Sequence, residues 1–407
     1  MVKEMILTDG IKQSQFYEGQ RRKMEETEEN TAAFYLKEMS GIGNKTLFKL
    51  LAIAGNAQNI MKMSESEIKD VLGEKKGEIF WQGMEHAIKR MDNEGNKVIE
   101  QLKKEQGMEF VPFSSQKYPK RLRNIPDPPF ALYVKGELPP EEKPSVGIIG
   151  ARACSDYGKQ VAVYFGKRLG MAGISVISGM ARGIDGVAQE GAVSGGGKTY
   201  GVLGCGADVC YPPENDRLYH EIIQKGGIIS EYSPGTGAQA GLFPARNRII
   251  SGLSDILLVI EARKRSGTYI TVTQALEQGK DVYVVPGRIT DSLSEGCNYL
   301  LAQGAGVALQ PETLLEELAS MYPAFSFDSK KIGSGQSENV TNGDADGVEK
   351  QILACLDIIP TDIQYIYEKV AAKTGISMQK LHLELTRLQI MGKVTGQGNF
   401  YKKTYNL

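Results

Sequence analysis

The feature that most restricts the fold is an alternation, between about 144 and 320, of short apolar runs with segments long enough for amphipathic helices. The runs are apolar on both faces, as in strands buried in a parallel sheet with helices on each side. They are SVGIIGA, ISVISGMA, TYGVLGCG, GGIISEY, ILLVIEA and DVYVVPG. The pattern predicts an α/β fold with a doubly wound, Rossmann-like parallel sheet, in which ligands bind beyond the carboxyl ends of the strands.

The N-terminal region is predicted to be helical. Residues 1–30 are polar and predict a frayed lead-in, whereas residues 31–110 carry apolar side chains at three- and four-residue intervals. Two of these helices are joined by SGIGNKT at 40–46, which is similar to a helix-hairpin-helix turn whose backbone amides can bind a phosphate. A plain turn between helices explains the same residues. The periodicity predicts a helical domain over 31–110, of the helix-hairpin-helix or SAM-like type if the turn at 40–46 is such a motif.

Three segments complete the predicted organisation. A proline-rich connector at 118–144 leads into the sheet, so we place the whole extended Rossmann-like domain at 111–320. Residues 321–347 are rich in Gly, Ser, Asn and Asp and predict a flexible linker. Residues 348–407 predict three helices and a hairpin turning on Gly396–Gly398, which together suggest a winged-helix module.

Composition narrows the classes of partner. The 48 basic and 49 acidic residues give a net charge of −1, so any nucleic-acid site must be a local patch. The five cysteines form no CxxC pair and the three histidines lie far apart, so neither a metal site nor a disulfide framework is predicted. No apolar run could cross a bilayer and the N-terminus lacks a signal-peptide pattern. The chain is predicted to be cytoplasmic, with no membrane partner.

Two glycine-rich stretches imitate nucleotide-binding motifs. GGGKT at 195–199 lacks the earlier P-loop glycine, since Ala192 stands there, and it precedes a strand instead of following one. GVLGCG has Gly204 and Gly206 but no third glycine, and no acidic residue follows at the spacing that holds a ribose. No nucleotide or other cofactor is predicted.

The turns after three of the predicted strands carry residues that can bind a phosphate group. Parallel strands end at one edge of a sheet, where helix N-termini present unpaired amides and partial positive charge. The predicted contacts are Gly150 and Arg152 after SVGII, Ser178, Gly179 and Arg182 after ISVI, and Ser266, Gly267 and Thr268 after ILLVIEA. Each arginine has a structural alternative, because Arg152 could pair with Asp156 and Arg182 with Asp185.

The stretch FPARNR adds an aromatic ring and further cations to the same edge. Phe243, Arg246, Asn247 and Arg248 lie just before a buried strand, where an unpaired charge is costly to desolvate. We expect a helix to start near Arg246, after a loop that enters this phosphate-binding edge. A phenylalanine beside cations suits stacking on an unpaired base, which favours single strands, although simple burial of Phe243 is the alternative.

No acid–base constellation suggests catalysis. Asp185, Glu231 and Glu261 lie near strand ends without a histidine or serine at useful spacing, and neither Ser178 nor Ser266 has a nearby base. The chain is therefore not predicted to be an enzyme.

These residues resemble the DNA-processing protein A family (DprA, also called Smf). The similarity covers about 110–320 through GIIGARACSDYG, SGMARGIDGVAQEGA, GVLGCGADVCYPPEN, FPARNRIISGLSD and SGTYITVTQALEQGKDVYVVPG. The resemblance implies a single-stranded DNA-binding protein that self-associates as a homodimer, protects incoming strands and loads the RecA recombinase during natural transformation. It also implies that Arg246 and Arg248 face a DNA backbone, with Asn247 fixing the loop or bonding a base edge. Two positions depart from the family: Ala240 stands where some relatives carry a basic residue, and Gln189 where many carry histidine.

Two other functions remain open on the sequence. SGTYITVTQALEQG offers Gly267, Thr268 and Glu277 in an order loosely similar to folds that hydrolyse nucleoside monophosphates, without their double-glycine turn. A winged helix could instead bind duplex DNA, but its predicted recognition helix carries only Lys380 and Arg387 among acidic or apolar residues.

Overall fold

The computed structural model describes residues 24–325, 345–356 and 360–404. Its N-terminal part is helical: α1 covers 24–37 and is followed by α2 Asn44–Ala54, α3 Ala57–Ile60, α4 Glu65–Leu72, α5 Glu74–Glu94 and α6 Lys97–Gln106. The prediction of a frayed lead-in is wrong for residues 24–30. Glu29 anchors this turn of α1 by accepting hydrogen bonds from the amides of Ala57 and Gln58, at 2.9 and 3.1 Å. Residues 1–23 of the predicted lead-in lie outside the described residues.

The described residues form a central sheet of nine strands. These are β1 Met108–Pro112, β2 Ala131–Gly136, β3 Ser145–Ile149, β4 Ser175–Ser178, β5 Thr199–Leu203, β6 Gly227–Ser230, β7 Ile256–Val259, β8 Asp281–Val284 and β9 Gly306–Val307. Their order is β1–β2–β6–β5–β4–β3–β7–β8–β9, parallel from β6 to β9. The predicted α/β fold with a doubly wound parallel sheet is confirmed. The antiparallel strands β1 and β2 and the short β9 were not predicted.

Helices cover both faces of this sheet. They are α7 Lys120–Arg123, α8 Asp156–Met171, α9 Ile184–Ser194, α10 Asp216–Lys225, α11 Leu242–Leu253, α12 Thr268–Glu277, α13 Glu295–Ala302 and α14 Pro311–Met321. On one face, Phe165 of α8 and Ala188 of α9 share a core with strand residues such as Val146. On the other face, Ile249 of α11 and Val272 of α12 do the same. Strands β3 to β7 are buried on both sides, which explains their largely apolar sequence, whereas in β8 Asp281 is exposed while Val282 and Val284 are buried.

The strand order creates a crevice at the carboxyl edge. From β3 the chain winds outward through β4, β5 and β6, then returns across the sheet to β7 on the other side of β3. The connections therefore leave in opposite directions after β3 and β7, and such a switch point is where doubly wound sheets bind ligands.

The N-terminal helices pack on the end of the sheet that β1 and β2 form. The rings of Phe34 in α1 and Phe110 in β1 meet edge to face, with centroids 5.3 Å apart. The carboxylate of Glu38 accepts hydrogen bonds from the hydroxyls of Tyr133 in β2 and Ser233 after β6. This region therefore shares a core with the sheet.

The C-terminal residues form a small unit with its own core. It contains α15 Ala345–Cys355, β10 Thr361–Asp362, α16 Ile363–Thr374, α17 Met378–Ile390, β11 Val394–Gln397 and β12 Phe400–Lys403, with strand order β10–β12–β11. The hairpin register pairs Gln397 with Phe400, so the turn lies at 398–399 and Gly396 is a strand residue, contrary to the expected turn. Three helices and a hairpin are compatible with a winged helix, which stays a prediction.

The two remaining expectations are the flexible linker at 321–347 and the absence of a membrane span. Of the predicted linker at 321–347, Met321 ends α14 and residues 345–347 belong to α15, while 326–344 lie outside the described residues. Across the described ranges, no helix is both long enough and apolar enough to span a membrane.

Candidate nucleic-acid interface

A cavity of about 590 Å³ lies at the carboxyl edge of the sheet, where the connections after β3 and β7 leave in opposite directions. Eight of the twelve predicted contact residues line it: Gly150, Arg152, Phe243, Arg246, Asn247, Ser266, Gly267 and Thr268. They come from the turn after β3, from α11 and from the start of α12. Segments more than one hundred residues apart meet here because parallel strands end at the same edge.

A smaller cavity of about 30 Å³ adjoins the first and shares Arg152, Phe243 and Arg246 with it. Gly179 and Arg182 line this second cavity. Ser178 and Arg248 line neither. Of the twelve predicted contacts, eight therefore line the larger cavity, two line only the smaller one and two line neither.

Arg152 is exposed in the site and lies beside the half-buried Phe243. The Arg152 guanidinium carbon lies 5.4 Å from the centroid of the Phe243 ring, within the range of a cation–π contact. The predicted alternative, an Arg152–Asp156 ion pair, is wrong, because Asp156 pairs with Lys159 at 3.2 Å. Arg152 has no ion pair within the described residues. Phe243 is half-buried and lines both cavities, so its ring is not simply buried beneath the loop.

Arg182 is exposed and forms an ion pair, but not with the residue expected. Its Nε and Nη2 donate to Glu214 Oε1 at 3.2 and 2.7 Å, and both side chains are 59% exposed. The alternative pairing with Asp185 is therefore wrong. A pair this exposed is weak, so Arg182 can exchange Glu214 for another anion at small cost.

Arg246 is turned into the protein, which corrects the expectation that it faces a DNA backbone. Helix α11 begins at Leu242, not near Arg246, so Arg246 lies on the inner face of the helix with 3% of its surface exposed. Its Nη1 donates to the carbonyl oxygens of Gly179 (2.9 Å) and Val202. Burial lowers the pKa of Arg246 to about 10. This side chain positions the turns after β4 and β5.

Asp185 occupies the place that we expected for a phosphate. The Gly179 amide donates to Asp185 Oδ2 at 3.1 Å. Burial raises the pKa of Asp185, and this is partly offset by Arg246 and by the amides of Gly179 and Gly150. The Ser178 hydroxyl donates to the carbonyl oxygen of Ile148 at 2.6 Å. Ser178 and Gly179 thus hold the turn together through internal bonds. Ser178 is fully buried, so its prediction as a DNA contact is corrected, whereas Gly179 lines the smaller cavity and stays a predicted contact.

Arg248 is buried against a carboxylate of its own, so the expectation that it faces DNA is wrong. Its Nη2 donates to both carboxylate oxygens of Glu231 at 2.8 Å, and Nε lies 3.1 Å from a carboxylate oxygen of Asp127. Burial acts to raise the pKa of Glu231, but Arg248, Lys37 and Asn44 together outweigh it and the pKa is lowered. The charge of Arg248 is neutralised within the protein.

Asn247 lies between these two arginines and lines the main cavity. Its Oδ1 accepts a hydrogen bond from Arg246 Nε at 3.2 Å, which supports a role in fixing the start of α11. Gln189, whose role the resemblance left open, is buried and donates to Thr199 Oγ1 and to the Tyr200 carbonyl oxygen at 3.2 and 3.1 Å. It holds α9 against β5 and does not line the cavity.

The start of α12 offers unused donors. The Ser266 hydroxyl is buried and has no hydrogen-bond partner in the described part of the chain. Gly267 occupies the N-cap position, and no side chain caps this helix end in the same residues. Sequence reasoning missed Arg263, which also lines the cavity. Its signal was the basic run RKR directly before the Ser-Gly-Thr turn.

The similarity to known proteins agrees with this geometry. A sequence profile of the family described as DNA recombination-mediator protein A matches residues 109–319. DNA processing protein DprA of Streptococcus pneumoniae is 35% identical over 285 residues, which cover 70% of this chain and 96% of that protein.

This chain belongs to the DNA recombination-mediator protein A family.

One further relative and a solved structure extend the comparison. DNA processing protein DprA of Bacillus subtilis is 40% identical over 216 residues, 53% of this chain and 73% of that protein. The X-ray structure of DNA processing protein A from Streptococcus pneumoniae covers 70% of this chain and 97% of its own, with 33% identity and a TM-score of 0.63. The resemblance predicted from the residues is confirmed.

The cavity of this family member offers little to a hydrolase. Glu277 stands exposed at the last residue of α12, about 13 Å along the helix from Thr268, and it does not line the cavity. The described lining residues include one carboxylate, Asp185, which is buried beside Arg246. No trio of His, Cys, Asp or Glu suited to a metal ion occurs within the described ranges.

The C-terminal helix α17 presents few free cations for duplex DNA. Arg387 pairs with Glu384 at 3.3 Å, one turn away on the same helix. Lys393, just beyond the helix, pairs with Glu349 at 2.6 Å. Nothing in these contacts favours a major-groove reader over packing or partner binding for this unit.

Proposed function

We propose that this member of the recombination-mediator family binds single-stranded DNA at the carboxyl-edge cavity and delivers it to a RecA recombinase. The observation that carries the proposal is Arg152, an exposed guanidinium without an ion pair in the described residues, stacked beside the half-buried ring of Phe243 at the cavity. A cation and an aromatic face together suit the phosphate and the base of one unpaired nucleotide.

The local charge supports an anionic ligand although the whole chain is nearly neutral. Arg152 and Arg263 line the cavity with exposed side chains, whereas its carboxylate, Asp185, is buried beside Arg246. Each arginine–phosphate contact is worth about 1.5–3 kcal/mol. Two or three such contacts are enough for binding despite a net charge of −1.

Two aromatic rings favour a single strand over a duplex. The rings of Phe243 and Tyr211 lie 5.5 Å apart, and both residues line the cavity. Bases can stack on such rings only when they are unpaired, and stacking of this kind is tolerant of sequence. The proposed binding therefore has little sequence preference.

A second copy of the chain is the proposed partner at the β9 end of the sheet. Strand β9 is the edge strand, and apolar side chains near it are exposed: Leu276 by 60%, Val307 by 46% and Leu309 by 74%. An unpaired edge strand beside apolar side chains is a surface that a stable protein covers. This supports the homodimer that the resemblance implies.

The transfer of the strand to RecA during natural transformation, in the cytoplasm, rests on the family resemblance alone. It is tested by measuring RecA filament formation on single-stranded DNA coated with a single-strand-binding protein. The proposal expects this protein to accelerate filament formation, and an unchanged rate would contradict the loading role.

DNA binding itself is tested by titrating a labelled single-stranded oligonucleotide at several salt concentrations. Arg152→Ala should weaken binding about 10- to 100-fold and reduce the log–log salt slope by about 0.7, the value for one phosphate on a single strand. Arg217→Ala is the matched control, because Arg217 is a 79%-exposed arginine that does not line the cavity. Equal affinities and slopes for wild type and Arg152→Ala would refute this site.

A further inference from the structure

The cavity has a basic wall that Arg152 does not supply. Arg263, Lys264 and Arg265 follow β7 in sequence and are all exposed. Arg263 lines the cavity and has neither an ion pair nor a hydrogen bond in the described part of the chain, and Lys264 lies over the ring of Tyr299 at 5.6 Å. Three consecutive cations repel one another unless an anion lies among them.

Uncharged hydrogen-bond donors lie on the same side of the cavity as Arg263. The Ser266 hydroxyl is buried without a partner in the described residues, and Gly267 leaves the N-terminus of the ten-residue helix α12 without a side-chain cap there. No acidic residue lies in the first turn of this helix. The 263–268 loop therefore combines an arginine, a hydroxyl and a helix N-terminus, a set of donors that suits a phosphate group.

Ala240, in contrast, supplies no cation to the cavity. This residue lines the same cavity, and its methyl group cannot bind an anion. A volume of about 590 Å³ accommodates more than one phosphate-sized group, since pockets of 300–1,000 Å³ hold whole small ligands. A second phosphate in this cavity must therefore take its cation from another residue.

We propose that Arg263 binds a second phosphate of the DNA strand, together with Ser266 and the N-terminus of α12, while Arg152 binds the first. This rests on the proposed single-stranded DNA binding and names the residue that extends the site across the sheet. The strand then runs from the turn after β3 to the turn after β7, across the point where the two connections diverge.

The test compares salt-dependent binding of a single-stranded oligonucleotide by wild type, Arg263→Ala, Arg263→Lys and Arg265→Ala. Arg263→Ala should lose about 10- to 100-fold in affinity and about 0.7 in the log–log salt slope. Arg263→Lys should keep the slope and lose only part of the affinity, because an ammonium retains the charge but not the planar fork. Arg265 does not line the cavity, so Arg265→Ala should stay within about threefold of wild type.

Adding a positive charge at position 240 gives an independent test of the second phosphate site. Ala240→Lys in the Arg263→Ala background should restore about 0.7 of slope, since position 240 faces the same cavity. Arg263 is exposed, so its variants should melt as wild type does.

The outcomes separate this inference from the function on which it rests. If Arg152→Ala weakens binding but Arg263→Ala has the affinity and slope of wild type, the second phosphate site does not exist and the proposed function stands. A loss of affinity in Arg263→Ala with no change in slope would also overturn it, because the contact would not be to phosphate. Absence of salt-dependent binding by the wild type would overturn both.

Discussion

Arg248 donates two hydrogen bonds from Nη2 to the carboxylate of Glu231, at 2.8 Å to each oxygen, and both side chains are more than nine-tenths buried. Asn44 of the N-terminal helices donates to the same carboxylate, and Asp127 lies beside Arg248 Nε. Arg248, which we expected to face DNA, thus links α11 to the segments that carry Glu231 and Asp127, and Glu231 in turn bonds Asn44. Its removal should act on stability first.

Replacing Arg248 with leucine should destabilise the protein by about 3–5 kcal/mol, because Glu231 is left as a buried charge without its partner. Urea denaturation measures this. Arg182→Ala is the control, since its pair with Glu214 is 59% exposed on both sides and should change stability by less than about 1 kcal/mol. Similar effects of the two variants would show that burial does not distinguish these arginines.

The Glu231 carboxylate should make stability depend on pH. Burial acts to raise its pKa, but Arg248 holds the pKa below the usual 4.5, so the folded protein binds fewer protons than the unfolded chain. Its contribution is complete above about pH 4.5 and is lost as the pH falls through the lowered pKa. Denaturation from about pH 7 to about pH 3 should show the stability gap between wild type and Glu231→Gln narrowing on acidification. A gap that stays constant would contradict the lowered pKa.

Gly179 should not tolerate a side chain. A Cβ there would lie 2.6 Å from Arg246 Nη2 and 2.7 Å from Asp185 Oδ2, so this buried pair would have to move. We expect Gly179→Ala to cost about 1–3 kcal/mol. Gly267 was predicted for the same site, yet it has φ −58° and open space around it, so Gly267→Ala should be nearly neutral in thermal denaturation. Equal melting temperatures would show that the turn after β4 adapts freely.

Phe243→Leu should weaken single-stranded DNA binding by about 1–3 kcal/mol without changing the salt slope, because stacking involves no counterion release. Fluorescence anisotropy at two salt concentrations separates the two effects. Tyr365→Leu is the control, since Tyr365 also lies beneath a cation, Lys369, at 5.5 Å but does not line the cavity. A changed slope in Phe243→Leu would mean that the ring only positions Arg152.

Asn44→Ala should destabilise the protein by about 1.5–3 kcal/mol, the usual worth of a hydrogen bond to a charged group. Asn44 Nδ2 bonds the Glu231 carboxylate and lies 3.5 Å from the Pro128 carbonyl oxygen. The neighbouring Lys45 is exposed, so Lys45→Ala should be close to neutral in the same urea titration. If Asn44→Ala is neutral as well, the bond between the N-terminal helices and the sheet does not contribute to stability.

The elements themselves were largely predictable. The six predicted strands exist, five of them with every residue buried, and the periodicity of apolar residues over 31–110 corresponds to helices α2 to α6. Strands β1 and β2 were missed because their pairing with each other and with β6 joins segments that no local pattern connects. The start of α11 was misplaced by four residues, which was enough to turn Arg246 from solvent to the core.

By itself, the sequence determined six parallel strands with helices between them and the meeting of several strand-end turns at one edge, because the periodicity of apolar residues and the direction of parallel strands settle both. Which cations face that edge was decided only by the tertiary structure. Arg248 meets Glu231 from 17 residues away, and Arg246 meets the Gly179 carbonyl oxygen from 67 residues away. Desolvation and pairing of a charge depend on such distant partners, so Arg152 and Arg263 remained exposed while the two arginines of FPARNR became part of the core.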